Sequence, residues 1–463
     1  MASIRPTPQR VRTARTAFGT SSRKGNVMFS IKEVLAMEVA PALGCTEPVA
    51  IALGAAAAAA LLKDSVTRID VAVDPNIYKN GLAVSIPGTD GLCGLDTAAA
   101  IGAVAGNPDL RLEVLDPVDE NAVAAAQQLI RDGGVNVHLL QDRQGLYNHT
   151  TITSGHDKAE SIIQDSHDNI VVLRLNDRDL ADHPLLSVED GPAGHTRSDV
   201  EAWLKTQSLK DLLAMVDDLD DEDFAFLQEG VEQNMRLAEY GLKFGPGLNV
   251  GMTLERLVRQ RLLSKDMIMA ARILASAAAD ARMAGIKLPA MSSAGSGNHG
   301  LTAILPIRAV KDYVECEEKV FLEAIALSHI LTAYVKTHTG RLSAVCGCSI
   351  AAGAGATAGV TYLLGGHLKH IAGAITILTE DLAGVICDGA KAGCSLKLAT
   401  AAGAAVQAAL FALQGVNVMA TDGIIGHSPE QTMQNIGTLS TQGMMETDRT
   451  ILKIMLEKKF QHV

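Results

Sequence analysis

The sequence predicts an α+β protein, in which an N-terminal α+β domain with a mixed sheet precedes a large all-helical domain. Apolar residues alternate with a period of two in several segments between residues 66 and 175, which is typical of strands. After residue 195 almost every apolar pattern is helical. Hydrophobic residues make up 48% of the 463 residues but aromatic residues only 3%, so small side chains should let the helices pack closely.

The first 27 residues contain six basic residues and no acidic residue. Such a segment is compatible with an organelle transit peptide, a disordered tail, or an extension that precedes a start at Met28. We predict a disordered basic tail for residues 1–27. The α+β domain is then predicted over residues 28–190 and the helical domain over residues 195–463.

In the N-terminal domain, the pattern of residues 30–63 is helical with one break at residues 43–48. This break places Cys45 between two helices and Pro48 in the first turn of the second one. A further helix is predicted at residues 120–132. The predicted strands are residues 68–73, 83–86, 110–115, 135–139, 150–153 and 170–175. Residues 189–194 are rich in glycine and proline and predict a linker to the helical domain.

Charge and cysteine usage exclude several classes of protein. The net charge of −12 and the lack of a basic stripe argue against nucleic-acid binding. The seven cysteines are unevenly spaced and follow no secretory signal, so we expect no disulfide framework and a cytoplasmic protein. Cys93, in a glycine loop, and Cys316, on a predicted polar helix, are interpreted as incidental.

Four alanine-rich runs raise the question of a membrane protein. They are short or dominated by alanine and glycine, and one of them contains two acidic residues. A membrane span needs about 20 strongly apolar residues, so buried helices of a protein outside the membrane are favoured. The runs are residues 49–62, 349–366, 371–386 and 396–416.

Residues 292–300 form a loop rich in glycine and serine, and Gly295–Gly300 match the dinucleotide pattern G-x-G-x-x-G. That pattern is meaningful only within a βαβ unit. Here a helical pattern precedes the loop and Pro306 interrupts the segment after it, so a dinucleotide site is disfavoured. Two interpretations remain: a backbone nest that binds an anion such as a carboxylate, or a tight turn between helices.

Four cysteines lie beside glycine and alanine in the C-terminal half: Cys346, Cys348, Cys387 and Cys394. Their C-x-C and C-x₆-C spacings do not match the paired knuckles of zinc sites. Iron–sulfur clusters accept looser spacing, because their larger inorganic core binds thiolates from separate segments. From spacing alone, small buried hydrophobic residues remain the alternative.

Several motifs occur together in a specific order from about residue 31 to the C-terminus. They include Ala40-Pro-Ala-Leu-Gly-Cys-Thr-Glu-Pro48, and the others are residues 78–81, 86–89, 166–170, 294–300, 346–348, 387–394, 422–424, 435–437 and 443–448. This combination resembles the L-cysteine desulfidase family, whose members are related to the iron–sulfur L-serine dehydratases. Two positions depart from the family pattern: Asp168 stands where threonine is expected, and His299 where glutamine is frequent.

The resemblance implies a [4Fe–4S] cluster that three cysteines hold, with one iron left open. The implied ligands are Cys387, Cys394 and one member of the pair Cys346 and Cys348. We favour Cys346, which lies nearer the break at Gly340, whereas Cys348 leads into an alanine-rich helix.

The resemblance also implies a catalytic role for Cys45, which either removes the α-proton of the substrate or caps the open iron. A position at a helix N-terminus favours its thiolate, provided that the cluster or nearby cations lower the pKa. The open iron would act as a Lewis acid on the leaving group. No lysine for pyridoxal phosphate is indicated or required.

The implied activity is α,β-elimination from L-cysteine in amino-acid catabolism, which yields pyruvate, ammonia and hydrogen sulfide. The alternatives are dehydration of L-serine or a related hydroxy amino acid, and a non-catalytic cluster-binding redox sensor. We expect a homo-oligomer whose only other partner is a small amino-acid substrate. The predicted substrate-binding residues are Ser292, Ser293, Gly295, Ser296, Gly297, Asn298, Lys79, Asn80 and His167.

Overall fold

The computed structural model describes residues 29–187, 195–340 and 343–458. The predicted basic tail and the predicted linker therefore lie outside the described residues. Two hydrophobic cores confirm the α+β class: one is formed by the N-terminal sheet with its helices, the other by helices of the C-terminal half.

The strands are β1 (Pro41–Leu43), β2 (Arg68–Val73), β3 (Val135–Leu139), β4 (Tyr147–Ser154), β5 (Asp157–Gln164), β6 (Ile170–Leu175), β7 (Arg178–Asp179) and β8 (Pro289–Met291). The helices of the N-terminal half are α1 (Ile31–Glu38), α2 (Thr46–Ala59), α3 (Pro75–Gly81), α4 (Leu95–Ala105) and α5 (Glu120–Arg131). The later helices are α6 (Arg197–Leu204), α7 (Leu209–Met215), α8 (Asp221–Phe244), α9 (Val250–Arg259), α10 (Met267–Met283), α11 (Gly297–Lys311), α12 (Glu318–Thr339), α13 (Gly347–Leu363), α14 (Leu368–Leu382), α15 (Cys394–Leu413), α16 (Pro429–Thr438) and α17 (Met445–Glu457).

The main sheet is mixed, as the sequence predicts, with the strand order β3-β2-β4-β5-β6-β7. β2 runs parallel to β3 and antiparallel to β4, and the remaining pairs are antiparallel. In β2 the side chains of Ile69, Val71 and Val73 are buried, while the alternate residues face outward. This alternation is the period-two pattern of a sheet with one covered face.

Two predicted strands are wrong. Residues 83–86 form no strand, and only Ser85 pairs there, with Cys93, in an isolated bridge. Residues 110–115 lie largely in a 3₁₀ helix, Pro108–Glu113, in which Arg111 has a φ of 50° that interrupts any extended run. β5 and the helices α3 and α4 are additional elements that the apolar pattern did not reveal.

The helical half is packed through very small residues. α13 approaches α12 so closely that a Cβ added at Gly355 would lie 2.3 Å from the carbonyl oxygen of Ser328. A Cβ at Gly359 would lie 2.7 Å from the carbonyl oxygen of Ala324. The close helix packing predicted from composition therefore occurs here. α1 also packs on this helical core, although its sequence lies within the predicted N-terminal domain.

Two described helices, α12 and α15, are long and apolar enough to cross a membrane. The most apolar window of α12 is 94% buried inside the protein and that of α15 is 56% buried. Helices with these properties also form the cores of soluble proteins, so they are weak evidence for a membrane span.

A small second sheet brings the two halves together. β1 pairs antiparallel with β8, with Pro41 opposite Met291 and Leu43 opposite Pro289. The chain after β1 leads to Cys45, and the chain after β8 leads to the glycine-rich loop. The pairing therefore positions two segments that are about 250 residues apart in the sequence next to each other.

Candidate functional site

A cavity of about 90 Å³ lies between the two halves of the chain and contains the predicted cysteines. Its walls come from the start of α2, from α3, from the glycine-rich loop and from the two cysteine segments. The lining residues are Cys45, Glu47, Asn80, His167, Arg282, Ala294, Gly295, Ser296, Asn298, His299, Lys336, Ser343, Val345, Cys346, Gly347, Cys348, Cys387, Gly389, Ala390, Cys394 and Lys397.

The two cysteine segments are joined by an antiparallel backbone bridge. The amide of Cys346 donates to the carbonyl oxygen of Val385 at 2.9 Å, and the amide of Cys387 donates to that of Ala344 at 2.6 Å. Cys394 follows at the beginning of α15 and also lines the cavity. This bridge explains how cysteines about 40 residues apart in the sequence face one cavity.

Four helices begin at the cavity. Cys45 is the N-cap of α2, Ser296 that of α11 and Cys346 that of α13, while Cys394 is the first residue of α15 and follows its N-cap, Gly393. The side chains of Cys45, Ser296 and Cys346 accept no capping hydrogen bond from a backbone N–H of their helices, and Gly393 has no side chain. Helix N-termini carry partial positive charge and free N–H groups, so their convergence favours an anionic occupant.

The thiol of Cys45 is buried, with 3% of the residue exposed, and it donates a hydrogen bond to Oε2 of Glu47 at 2.9 Å. Oε1 of the same carboxylate accepts from Asn80 Nδ2 at 3.1 Å and lies 3.9 Å from Nε2 of His167. Burial acts to raise the pKa of Glu47, but His167, Cys45 and Arg282 together lower it. Glu47 is therefore a carboxylate that faces a thiol.

The neighbours of Cys45 in the protein without a bound cluster act on its pKa in both directions. Burial, and then the negative charge of Glu47, raise the pKa of Cys45 well above its ordinary value, although Arg282 opposes them. Without a cluster, desolvation and the nearby carboxylate therefore favour the thiol form of Cys45.

The pKa values of the Cys346 and Cys348 thiols are shifted in opposite directions. A hydrogen bond from Cys348 lowers the pKa of Cys346 more than burial raises it, and Ser349 adds to this effect. The pKa of Cys348 is raised by the same interaction and by burial. Burial also raises the pKa of Cys387, and it raises that of Cys394 to about 12. Cys346 is thus the member of the pair that prefers to be the thiolate.

Arg282 connects the loop of Cys45 with the glycine-rich loop. Only 2% of this residue is exposed, and its guanidinium group donates to the carbonyl oxygen of Gly44 and, at 2.9 Å, to Oδ1 of Asn298. No carboxylate in the described residues lies within 4.0 Å of it. A buried cation of this kind favours an anion in the cavity.

Of the nine predicted substrate-binding residues, five line the cavity: Gly295, Ser296, Asn298, Asn80 and His167. The other four have structural contacts. Ser292 donates to the carbonyl oxygen of Ala40 at 2.6 Å, and Ser293 Oγ lies 3.0 Å from Nδ1 of His329. Gly297 packs on Arg282, where a Cβ would lie 2.4 Å from Nε.

Lys79, the fourth of these residues, pairs with Asp448 and donates to the carbonyl oxygen of Cys387 at 3.3 Å. Cys93 and Cys316 do not line the cavity either. The sequence predicted a polar helix around Cys316, but this residue lies in the connection before α12.

The structure also corrects two details of the glycine-rich loop. Pro306 does not interrupt the following helix, because α11 continues through it to Lys311. A strand, β8, precedes the loop, but its only strand partner among the described residues is the antiparallel β1. A βαβ dinucleotide unit is therefore absent from this part of the chain.

Sequence reasoning missed several residues of the cavity wall: Glu47, Arg282, His299, Lys336 and Lys397. His299 was noted only as a departure from the family pattern. Burial and the charge of Lys336 lower its pKa well below the ordinary value, so its imidazole is neutral. Glu47 could have been found, because it lies in the motif of residues 40–48, whereas Arg282 and Lys336 come from unremarkable helical patterns.

No three His, Cys, Asp or Glu side chains of the described ranges are arranged to hold a single metal ion. Four thiols, those of Cys346, Cys348, Cys387 and Cys394, nevertheless line the same cavity, and thiolates are the donors that iron–sulfur clusters use. Two glycines of the cysteine segments pack too closely on their neighbours to carry a side chain. A Cβ at Gly347 would lie 2.4 Å from His299 Nε2, and a Cβ at Gly389 would lie 2.6 Å from the Lys79 carbonyl oxygen.

Comparison with known proteins shows the family to which the chain belongs. The family model described as serine dehydratase alpha chain matches residues 109–453. A UPF0597 protein of Desulfatibacillum aliphaticivorans is 62% identical over 434 residues, which cover 93% of this chain and 99% of the relative. UPF0597 proteins of Desulfotalea psychrophila and Clostridioides difficile are 60% and 43% identical, over 93% and 91% of this chain and 99% and 98% of their own.

These matches define a serine dehydratase-like protein. The chain belongs to the serine dehydratase alpha-chain family, which confirms the predicted relationship to the L-serine dehydratases.

Proposed function

We propose that this protein is an iron–sulfur-dependent lyase that converts L-cysteine to pyruvate, ammonia and hydrogen sulfide by α,β-elimination. The observation that carries the proposal is the convergence of Cys45, the cluster cysteines and the glycine-rich loop on one cavity. The proposed setting is cytoplasmic, where thiols stay reduced.

In this proposal Cys346, Cys387 and Cys394 hold a [4Fe–4S] cluster. The preference of Cys346 over Cys348 rests on the backbone bridge that joins Cys346 to the Cys387 segment, and the lowered pKa of Cys346 agrees with it. When bound, the cluster supplies a Lewis acid that polarises the leaving group of the substrate. The four helix N-termini around the cavity stabilise the negative charge of the thiolates and the cluster.

The substrate carboxylate is assigned to the free N–H groups at the start of α11, next to Ser296 and Asn298. Arg282 donates a hydrogen bond to Asn298 and thereby places a positive charge next to this loop. The orientation of Asn298 is fixed by this bond. An α-amino acid therefore binds with its carboxylate held and its α-carbon directed towards Cys45.

Cys45 is the proposed base. Its thiol proton passes to Glu47 Oε2, with which it is in hydrogen-bond contact, so that the sulfur can accept another. The thiolate then removes the α-proton, the C–H electrons form the Cα–Cβ double bond, and sulfide leaves with the Cβ–S electrons. The aminoacrylate product tautomerises to an imine and hydrolyses to pyruvate and ammonia.

Dehydration of L-serine is the second candidate, and the description of the matching family favours it. The same residues would act, with hydroxide in place of sulfide as the leaving group. Cysteine is preferred because a soft thiolate leaving group suits an iron–sulfur centre better than a hard hydroxide.

The test is anaerobic purification of the full-length protein, reconstitution with iron and sulfide, and assays with L-cysteine and L-serine. We expect equal amounts of sulfide and pyruvate from L-cysteine, with kcat/KM at least about tenfold above that for L-serine. D-cysteine is the matched control and should not react. Faster pyruvate formation from L-serine would select dehydration, and a loaded protein that converts neither substrate would favour the redox sensor.

Replacing each member of the cysteine pair tests the assignment of the third ligand. Cys346→Ser is expected to lose most of its iron, because a thiolate ligand is replaced by a weaker oxygen ligand. Cys348→Ser should keep its iron, since serine can still donate a hydrogen bond to Cys346. Iron content and visible absorbance measure the outcome, and the reverse result would make Cys348 the ligand.

A further inference from the structure

Lys79 is a buried cation that contacts the loop of residues 386–394, here called the Cys387 loop, and it does not line the cavity. Only 1% of the residue is exposed. Its ammonium group forms an ion pair with Asp448 of α17 and donates to the carbonyl oxygen of Cys387 at 3.3 Å. A buried ammonium group needs such partners, because its desolvation is otherwise uncompensated.

Three separate parts of the chain meet at this lysine. Lys79 belongs to α3 of the N-terminal half, Cys387 to the loop before α15, and Asp448 to the C-terminal helix α17. The loop packs directly on the backbone of α3, where Gly389 has a φ of 93° and a Cβ would lie 2.6 Å from the Lys79 carbonyl oxygen. The loop therefore rests on α3 through both a side-chain and a backbone contact.

Asp448 is suited to fix the lysine. Its side chain is 23% exposed, and it extends from the first turn of α17, whose buried residues are Ile451, Leu452 and Met455. The following residue, Arg449, makes a different kind of pair with Glu446, in which the two side chains are 69% and 76% exposed. Exposed pairs of that kind contribute little to stability.

We propose that Lys79 and Asp448 are positioning residues that hold the Cys387 loop in the geometry needed to bind the cluster. Lys79 holds the backbone of Cys387 from behind, and Asp448 holds Lys79. This assigns a role to Lys79 and to the segment 443–448, neither of which lines the cavity. The cluster-dependent part of the inference rests on the proposed function.

The opposite charges of Lys79 and Asp448 allow a positioning role next to the cluster to be distinguished from a general role in stability. Lys79 places a positive charge next to the proposed cluster ligand Cys387. Asp448 places a negative charge on the far side of Lys79, with which it forms an ion pair. Loss of the positive charge should make the reduction potential of the cluster more negative. Loss of the negative charge should make it more positive, since hydrogen bonds and charges around the sulfurs tune such potentials.

The experiment compares Lys79→Met and Asp448→Asn with the wild-type protein, all full length. In the iron-free proteins, hydrogen exchange of residues 386–394 should become faster in both variants. In the reconstituted proteins, iron loss to a chelator should become about 10- to 100-fold faster in both. The reduction potentials should shift in opposite directions.

Arg449→Gln is the matched control, because it breaks an exposed ion pair on the same helix and should change none of the three measurements. Circular dichroism checks that each variant is folded; if Lys79→Met is not, Asp448→Asn carries the test. Wild-type exchange of the loop in Asp448→Asn would overturn the inference. Wild-type protein that binds no iron would overturn the proposed function, while loop exchange would still decide whether the pair positions the loop.

Discussion

Serine in place of Cys387 or Cys394 is expected to abolish iron loading and, with it, product formation. Each residue is one of three proposed protein ligands, and two remaining thiolates cannot hold a cluster that already has an open iron. The change replaces one sulfur atom at the cavity wall by oxygen, so the protein should stay folded. Iron and acid-labile sulfide per chain, together with visible absorbance, measure the result.

Cys93→Ser is the matched control for these variants. Cys93 is exposed and lies outside the cavity, so its replacement should leave the iron content unchanged. A Cys394→Ser protein that is fully loaded with iron and active would refute the ligand assignment. Equal iron loss in Cys93→Ser would show that the assay responds to cysteine replacement in general.

Cys45→Ala is expected to retain the cluster but to lower kcat by a factor of about 10² to 10⁴, the usual contribution of a general base. Exchange of the substrate α-proton with deuterated solvent should be lost in parallel, because both processes need the thiolate. Iron content serves as the internal reference. If Cys45 instead caps the open iron, the variant should still turn over but lose its cluster faster in air.

Glu47→Gln tests the proposed acceptor of the thiol proton independently of the thiol of Cys45. The amide keeps the size of the side chain but cannot accept that proton as a carboxylate does, so kcat should fall while the iron content stays constant. Asn80→Ala, which removes the hydrogen bond to the other carboxylate oxygen, should have a smaller effect. Unchanged turnover and unchanged air sensitivity in Cys45→Ala would remove both Cys45 and Glu47 from the mechanism.

Local patterns predicted much of the fold, because burial of one face leaves a period in the sequence. Helix α5 and the strands β2, β3, β4 and β6 follow this rule. The same rule failed at residues 110–115, where an alternating pattern lies on a 3₁₀ helix whose Arg111 has a positive φ. Alternation records which side chains are buried and does not by itself determine the backbone conformation.

The sequence by itself determined the family, the helix break at Cys45 and the set of cysteines near glycine, since these depend on residue identity and order. Only the tertiary structure decided which residues face the cavity. Arg282, on α10, lines the cavity between its hydrogen-bond partners Gly44 and Asn298, and Lys79 lies outside it because its ammonium group pairs with Asp448, 369 residues farther along the chain. Burial and the charge of Glu47 raise the pKa of Cys45, and these too depend on three-dimensional neighbours. The physical reason is that pairing and desolvation are set by three-dimensional neighbours, and the sequence alone does not say which neighbours those are.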